Sequence, residues 1–263
     1  NHDGHYQPLE GDYPAVQLLQ KAPFVPAEII WCVFNDQRGG TSHNVSGGKS
    51  FQMEIQLTAW AFNCLQEPVL NNTVFTSHRL INRSNELVDS FYVGFWVDFD
   101  LGCYIDDHIG CSRSRNTMFA YNKDAVDGNI GSSCNGAPTF EDHPPVQSVT
   151  FLKSADFSEN DYALNNFISY GSIGNPATNG PVGAVEYYRN LTGNWRDGTP
   201  LTFGQTGYGG TIATDLLFPG DPSDPNAWSM CTSGQSPSNR IALGTQEVGH
   251  LFPGQILELN TAW

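Results

Sequence analysis

Hydrophobic and polar residues alternate along several short stretches of this chain. Between residues 51 and 58 the alternation is strict, which is typical of an antiparallel strand with one face in a core and the other in water. Other stretches are rich in β-branched and aromatic residues and are bounded by turn-forming residues. The sequence predicts strands over residues 29–35, 51–62, 73–81, 88–97, 117–121, 146–152 and 255–263.

Helical patterning is confined to two short segments, residues 162–168 and 182–191, where apolar residues recur with a spacing near 3.6. Glycine and proline are spread along the whole chain, and long loops are predicted over residues 102–116, 124–145 and 204–238. We therefore expect a single all-β domain over residues 1–263. It is predicted to be an antiparallel β-sandwich with long metal- and disulfide-ordered loops and one or two short helices.

The charge balance excludes some classes of partner. The chain has 27 acidic and 12 basic residues and a formal net charge of -15, which repels phosphate backbones and anionic lipids. Nucleic acid is therefore not an expected partner. No apolar run is long enough to span a bilayer, so direct membrane insertion is not expected either.

The chain contains six cysteines and no CxxC pair of the kind found in zinc or redox sites. The chain is poor in Lys and rich in Asn, Gly and aromatic residues, a composition that favours an extracellular or cell-surface location. Disulfides are therefore favoured over buried free thiols. Cys103 and Cys111 would close a short loop, and Cys32 and Cys64 end two strand-like runs. The disulfide candidates are Cys32, Cys64, Cys103, Cys111, Cys134 and Cys231.

Four aspartates are crowded at the end of a predicted strand: Asp98, Asp100, Asp106 and Asp107. Like charges at close range repel one another, whereas a calcium ion accepts six to eight oxygen ligands and allows all of them to stay ionised. The crowding therefore predicts a calcium site. A solvated acidic loop is the alternative interpretation.

The chain opens on Asn1-His2-Asp3-Gly4, followed by Glu10-Gly11-Asp12, a pattern like the tail of a calcium-binding loop. Asp3 and Asp12 are therefore further candidate ligands. Because no basic and apolar signal segment precedes this pattern, we expect the chain to be a piece of a longer exported protein.

No catalytic residue is predicted. The sequence contains no Gly-x-Ser-x-Gly nucleophile motif and no histidine spacing that implies zinc. A glycosidase needs two facing carboxyl groups, which the sequence alone does not pair, while aromatic residues in Gly- and Asn-rich loops are suited to stacking on sugars. Whether the protein is an enzyme is left open, and a binding or structural role is favoured.

Several motifs lie in the order and spacing of a known class of bacterial proteins. They are Gly11-Asp12-Tyr13-Pro14, Ile30-Trp31-Cys32-Val33-Phe34-Asn35-Asp36, Gly94-Phe95-Trp96-Val97-Asp98, Asp106-Asp107-His108-Ile109-Gly110-Cys111 and Tyr121-Asn122-Lys123-Asp124. The chain resembles the large cell-surface and secreted proteins exported by the type IX secretion system. The resemblance implies a multi-domain parent protein with a C-terminal sorting domain and adhesive modules, and it supports calcium at the four crowded aspartates. Phe99 and Ser112 depart from the family pattern of proline and aspartate, which removes one ligand.

These observations predict an extracellular calcium-binding structural or adhesive module of a bacterial surface or filament-forming protein. The expected partners are other surface or filament subunits, including further copies of this chain, and glycans. A secreted carbohydrate-binding or carbohydrate-hydrolysing protein is the alternative.

Overall fold

The computed structural model of the chain describes residues 15–16, 24–37, 43, 45–128, 134, 136, 138–152, 163–171, 175–237 and 241–263. Twelve strands and two α-helices form within these residues. The strands are β1 (Glu28–Asn35), β2 (Met53–Ala61), β3 (Val74–Asn82), β4 (Val88–Asp98), β5 (Asp107–Ser112), β6 (Thr117–Asn122), β7 (Val126–Asp127), β8 (Glu141–Asp142), β9 (Gln147–Leu152), β10 (Asn166–Tyr170), β11 (Ile241–Leu251) and β12 (Ile256–Ala262). The helices are α1 (Pro68–Asn71) and α2 (Ala184–Leu191).

The strands form a seven-stranded sheet, a three-stranded sheet and a small two-stranded sheet. The strand order is β1-β2-β3-β12-β9-β6-β5 in the first, β10-β11-β4 in the second and β7-β8 in the third. Neighbouring strands within each sheet are antiparallel. The protein is therefore an all-β sandwich, as the sequence predicts.

The core lies between the two larger sheets. Phe95 of β4 and Phe151 of β9 meet across it with their ring centroids 5.3 Å apart. Gly244 of β11 lies so close to the opposite sheet that a Cβ atom would be 2.9 Å from both the Met118 sulfur and the Phe151 ring. A side chain at position 244 would therefore push the sheets apart, at a cost typical of overpacking.

The predicted strands are confirmed, each with bounds that differ by no more than a few residues, whereas β5, β10 and β11 were not predicted. The predicted helix over residues 162–168 is wrong, because this segment leads into β10. All five residues of β10 are buried. A strand buried on both faces lacks the alternation that distinguishes a strand from a short helix. The predicted loop 102–116 likewise contains β5.

The helix predicted over residues 182–191 is confirmed as α2. It begins after Gly183, and its last residue, Leu191, packs against the core between the sheets. Helix α1 is a single turn. Within the described residues, no helix has the length and apolar character needed to cross a membrane.

One disulfide forms among the described residues, and it joins Cys103 to Cys134. The predicted Cys103–Cys111 pair is wrong, because Cys111 points from β5 into the core, where its Sγ donates a hydrogen bond to the Leu217 carbonyl. The predicted Cys32–Cys64 pair is wrong for a different reason. Cys32 faces Leu57, whereas Cys64 lies beyond Ala61, at the opposite end of β1. Cys32, Cys64, Cys111 and Cys231 are free thiols.

Candidate metal centre

The turn after β4 separates the crowded aspartates into two pairs. Phe99 and Leu101 are buried in the core, which leaves the alternating Asp98 and Asp100 exposed to solvent. The chain then makes a short 3-10 turn that ends at Asp106, and Asp107 begins β5. Asp107 is only 3% exposed, and Asp106 is half-buried with its Oδ1 atom shielded from solvent.

Asp107 is a buried carboxyl group in which only one oxygen accepts a hydrogen bond from a described residue. Its Oδ2 accepts a hydrogen bond of 3.0 Å from the Leu101 amide, and its Oδ1 is buried without a donor among the described residues. Burial raises the pKa of Asp107 to about 7, and the negative charges of Asp106, Asp127 and Asp100 add to this increase. The charged form is thus destabilised unless a positive charge lies nearby.

Asp106 and Asp127 bring two more carboxylates to the same place. Asp106 Oδ2 accepts a hydrogen bond of 2.8 Å from the Gly128 amide, whereas its Oδ1 is buried with no donor in the described part of the chain. The Asp127 oxygens accept from the amides of Cys103 at 2.7 Å and Phe140 at 2.6 Å. One carboxylate oxygen of Asp106, one of Asp127 and the Cys103 sulfur all lie within 4.8 Å of one another.

The backbone at Gly102 is shaped by Asp127. A Cβ atom on Gly102 would lie 1.8 Å from Asp127 Oδ2, and the glycine has a φ of +59°. Any other residue would collide with the carboxylate and would strain the backbone. Glycine is therefore required for the turn to close over Asp127.

Asn122 supplies a further oxygen from β6. It is paired with Asp107 in the β5–β6 ladder, and directly opposite residues project to the same face of a sheet. Its Nδ2 donates to the carbonyls of Asp124 and Val126, which fixes the amide orientation. The Oδ1 atom is then left buried without a donor among the described residues. Buried acceptors of this kind are rare and require an explanation, such as an ion or a water molecule.

The donor set is composed of oxygen atoms. Cys103 is bonded to Cys134 and therefore offers no thiolate. Carboxylate and amide oxygens without a sulfur or imidazole ligand suit a hard cation such as calcium and do not suit zinc. No Lys, Arg or His side chain in the described ranges forms an ion pair with Asp106, Asp107 or Asp127. A bound cation would supply the missing positive charge and partners for the free oxygens.

The structure brings together only part of the predicted ligand set. Asp106 and Asp107 lie in the centre, and Asp100 is close enough to act on the charge of Asp107. Asp98 is exposed, and its pKa is raised by partial desolvation and, to a lesser extent, by the charge of Asp100. The predicted ligands Asp3 and Asp12 lie outside the described residues.

Asn122 and Asp127 were not predicted as ligands, although a signal for them exists in the sequence. Both follow closely on the predicted strand 117–121, just as Asp98 and Asp100 follow the strand 88–97. Side chains at the ends of neighbouring strands lie close together and can form one site. The missing information was that β5 and β6 are adjacent, which places Asn122 beside Asp107.

No protein-family model and no curated protein matches this chain. The metal centre is therefore inferred from the clustering of Asp106 with Asp127, from the pairing of Asp107 with Asn122, and from the buried acceptor oxygens of Asp106, Asp107 and Asn122. The resemblance to type IX secretion substrates stays a prediction.

Proposed function

We propose that this chain is an extracellular, calcium-stabilised β-sandwich module of a bacterial surface or filament-forming protein. The observation that carries the proposal is the buried group of acceptor oxygens on Asp106, Asp107 and Asn122 that have no donor among the described residues. Unpaired buried acceptors destabilise a fold by about 1–3 kcal/mol each, and more when they are charged. Calcium would remove this penalty and would keep the carboxylates ionised.

A structural role for the ion follows from what the ligands connect. Asp106 and Asp107 lie at the start of β5, Asn122 ends β6, and Asp127 lies in the small β7–β8 sheet. A cation held by all of them would tie the edge of the large sheet to the loops that follow β4 and β6. Asp127 also binds the amide of Cys103, so the disulfide and the ion would order the same loop.

An extracellular location is supported by the disulfide, because such bonds persist in oxidising compartments and are rare in the cytosol. The net charge of -15 is compatible with a protein that works among divalent cations.

A role in contacts between subunits is supported by strand β1. It is the terminal strand of the large sheet, and no described strand pairs with its outer edge. Ile30 is 70% exposed and Trp31 is 63% exposed, although they project to opposite faces, and Val33 and Phe34 are also exposed. Exposed apolar edge strands are suited to pairing with a strand of another chain.

The alternative of a carbohydrate-hydrolysing protein gains no support from two cavities lined by described residues. A cavity of about 130 Å³ near Ser169 and Trp195 has no carboxylate in its lining. A groove of about 860 Å³ has one, on Asp36. A hydrolase needs two carboxyl groups that face each other across one cleft.

Thermal unfolding with calcium and with excess chelator tests the proposal. A ligand that binds the folded state at 100 times its dissociation constant stabilises it by about 2.7 kcal/mol, which corresponds to a midpoint shift of roughly 5–10 °C. We expect calcium to raise the midpoint by this amount. Magnesium, which demands a smaller octahedral site, should raise it much less. Equal midpoints in calcium, magnesium and chelator, together with no calcium in the purified protein by elemental analysis, would reject the proposal.

A further inference from the structure

A second feature lies far from the metal centre in the sequence, where residues 45–51, which precede β2, meet helix α2. The two elements form the walls of a groove of about 860 Å³. Its lining is mostly apolar and includes Val45, Phe51, Val185 and Leu191. At one point the walls approach closely, because a Cβ atom added to Gly48 would lie 3.5 Å from the Ala184 side chain.

Contacts to β4 hold both walls in place. On the helix side, the Tyr188 hydroxyl donates to the Ser90 carbonyl at 3.2 Å, and its ring meets that of Tyr92. On the loop side, the ring of Phe51 packs edge-on against Phe91. The volume falls within the range of about 300–1,000 Å³ that is usual for preformed small-molecule sites. The groove is therefore formed before any ligand arrives.

Asp36 and Lys49 both line the groove, and they differ in the contacts that they make. The Asp36 carboxylate accepts hydrogen bonds from the Met53 amide at 2.8 Å and the Ser50 hydroxyl at 3.0 Å. It also lies 3.8 Å from His43 Nε2. Lys49 also lines the groove, and it forms no ion pair with any acidic residue of the described segments. The groove thus combines an apolar surface with one ammonium group that forms no ion pair in the described segments and one carboxylate, that of Asp36, whose oxygens are already hydrogen-bonded.

We infer that this groove binds a small amphipathic anion, with its apolar body against Val45, Phe51 and Val185 and its carboxylate or sulfonate group beside Lys49. Apolar contact supplies most of the affinity, and the ammonium group selects the anion over an uncharged analogue. The overall charge of -15 repels anions at a distance, but salt screens that repulsion beyond roughly 8 Å at physiological ionic strength. The local charge of Lys49 therefore decides the preference.

Two fluorescent dyes with the same aromatic body test the inference. 1-Anilinonaphthalene-8-sulfonate carries an anionic group, and N-phenyl-1-naphthylamine does not. We expect the calcium-loaded protein to bind both dyes and to prefer the sulfonate. Lys49→Gln should weaken sulfonate binding about two- to five-fold, as expected for loss of one exposed charge interaction, and should leave the uncharged dye unaffected.

Matched variants identify the groove as the site. Lys123 is an exposed lysine outside the groove, so Lys123→Gln should change neither affinity. Val185 is 65% exposed and lines the groove, so Val185→Glu should weaken the sulfonate dye most, while Val69→Glu on α1 serves as its control. Absence of binding to the wild type, or equal effects of Lys49→Gln and Lys123→Gln, would overturn the inference. Each variant must keep the wild-type thermal transition, because partly unfolded proteins also bind the sulfonate dye.

Discussion

The carboxylate of Asp107 shows how a single buried group can link metal binding to pH. Its pKa of about 7 in the fold lies well above the ordinary value of 3.8. Between these two pH values the folded protein holds a proton that the unfolded chain has lost. The metal-free protein therefore loses stability as the pH rises from about 4 to 7, and the loss is complete above pH 7.

Replacing Asp107 with Asn tests this role. In chelator, Asp107→Asn should remove the part of the stability loss between pH 4 and 7 that Asp107 causes, about 4 kcal/mol at most, while the contribution of Asp106, whose pKa burial also raises, should remain. In calcium at pH 8 the variant should lose most of the calcium-induced midpoint shift, because one anionic ligand is gone. Urea unfolding at several pH values, with and without calcium, measures both effects.

Asp98→Asn provides the control for this experiment, since Asp98 is exposed and lies outside the buried group. It should leave the calcium-induced shift and the pH dependence nearly unchanged. If Asp98→Asn and Asp107→Asn reduce the calcium shift equally, the ion binds on the solvent side of the turn and the buried oxygens are not its ligands.

The residues of the centre were only partly predictable, and the difference has a physical cause. Asp106 and Asp107 were found because like charges crowded in sequence need a counter-charge wherever the chain folds. Asn122 and Asp127 are brought to them by the pairing of β5 with β6 and by the close approach of Gly102. These contacts are tertiary, so local sequence patterns do not show them.

At the scale of elements, alternation identified the strands that bury one face, as in β2 with Met53 and Ile55 on its core side. The strands that were missed violate that pattern. β10 is buried throughout, and β5 begins with the polar residues Asp107 and His108, which are buried rather than exposed. β11 contains Gly244, a poor strand former that is needed there because the opposite sheet approaches so closely.

The disulfide is the element-scale feature with the clearest effect on stability. Cys103 and Cys134 are separated by 31 residues, and closing a loop of that length stabilises a fold by about 3–4 kcal/mol in the chain-entropy model. The double change Cys103→Ser and Cys134→Ser should lower the free energy of unfolding by about 2–4 kcal/mol in urea titrations. It should also weaken calcium binding, because the Cys103 amide orients Asp127.

Cys32→Ser is the matched control, since Cys32 is exposed and free. Its free energy of unfolding should stay within about 0.5 kcal/mol of the wild type. A double variant as stable as this control would show that the loop is ordered by other contacts, with the ion as the first candidate.

At the scale of the whole molecule, the two edges of the large sheet differ. β5 lies at one edge beside the metal centre, and β1 lies at the other with its apolar side chains exposed. Contacts between subunits through β1 would therefore leave the metal centre of each copy outside the interface.

Trp31→Lys tests the role of β1 in association. A charged side chain on an edge strand opposes pairing with another chain, so the variant should shift the sedimentation profile at high protein concentration toward the monomer. Leu65→Lys adds the same charge at a still more exposed apolar residue outside the strands and should not alter the profile. A wild type that remains monomeric at high concentration would exclude self-association, and other subunits would then be the partners to test.

The position of β12 also has a consequence for the folding rate. This strand lies inside the large sheet between β3 and β9, and its Thr261 hydroxyl meets that of Thr76 across a separation of 185 residues. Pairings this distant in sequence form slowly, because a long loop must close before any contact stabilises it. The centre of the large sheet therefore stays open until residues 256–262 have joined it. For an exported protein, that delay would keep this domain unfolded and able to cross a membrane until residues 256–262 are available to pair with β3 and β9.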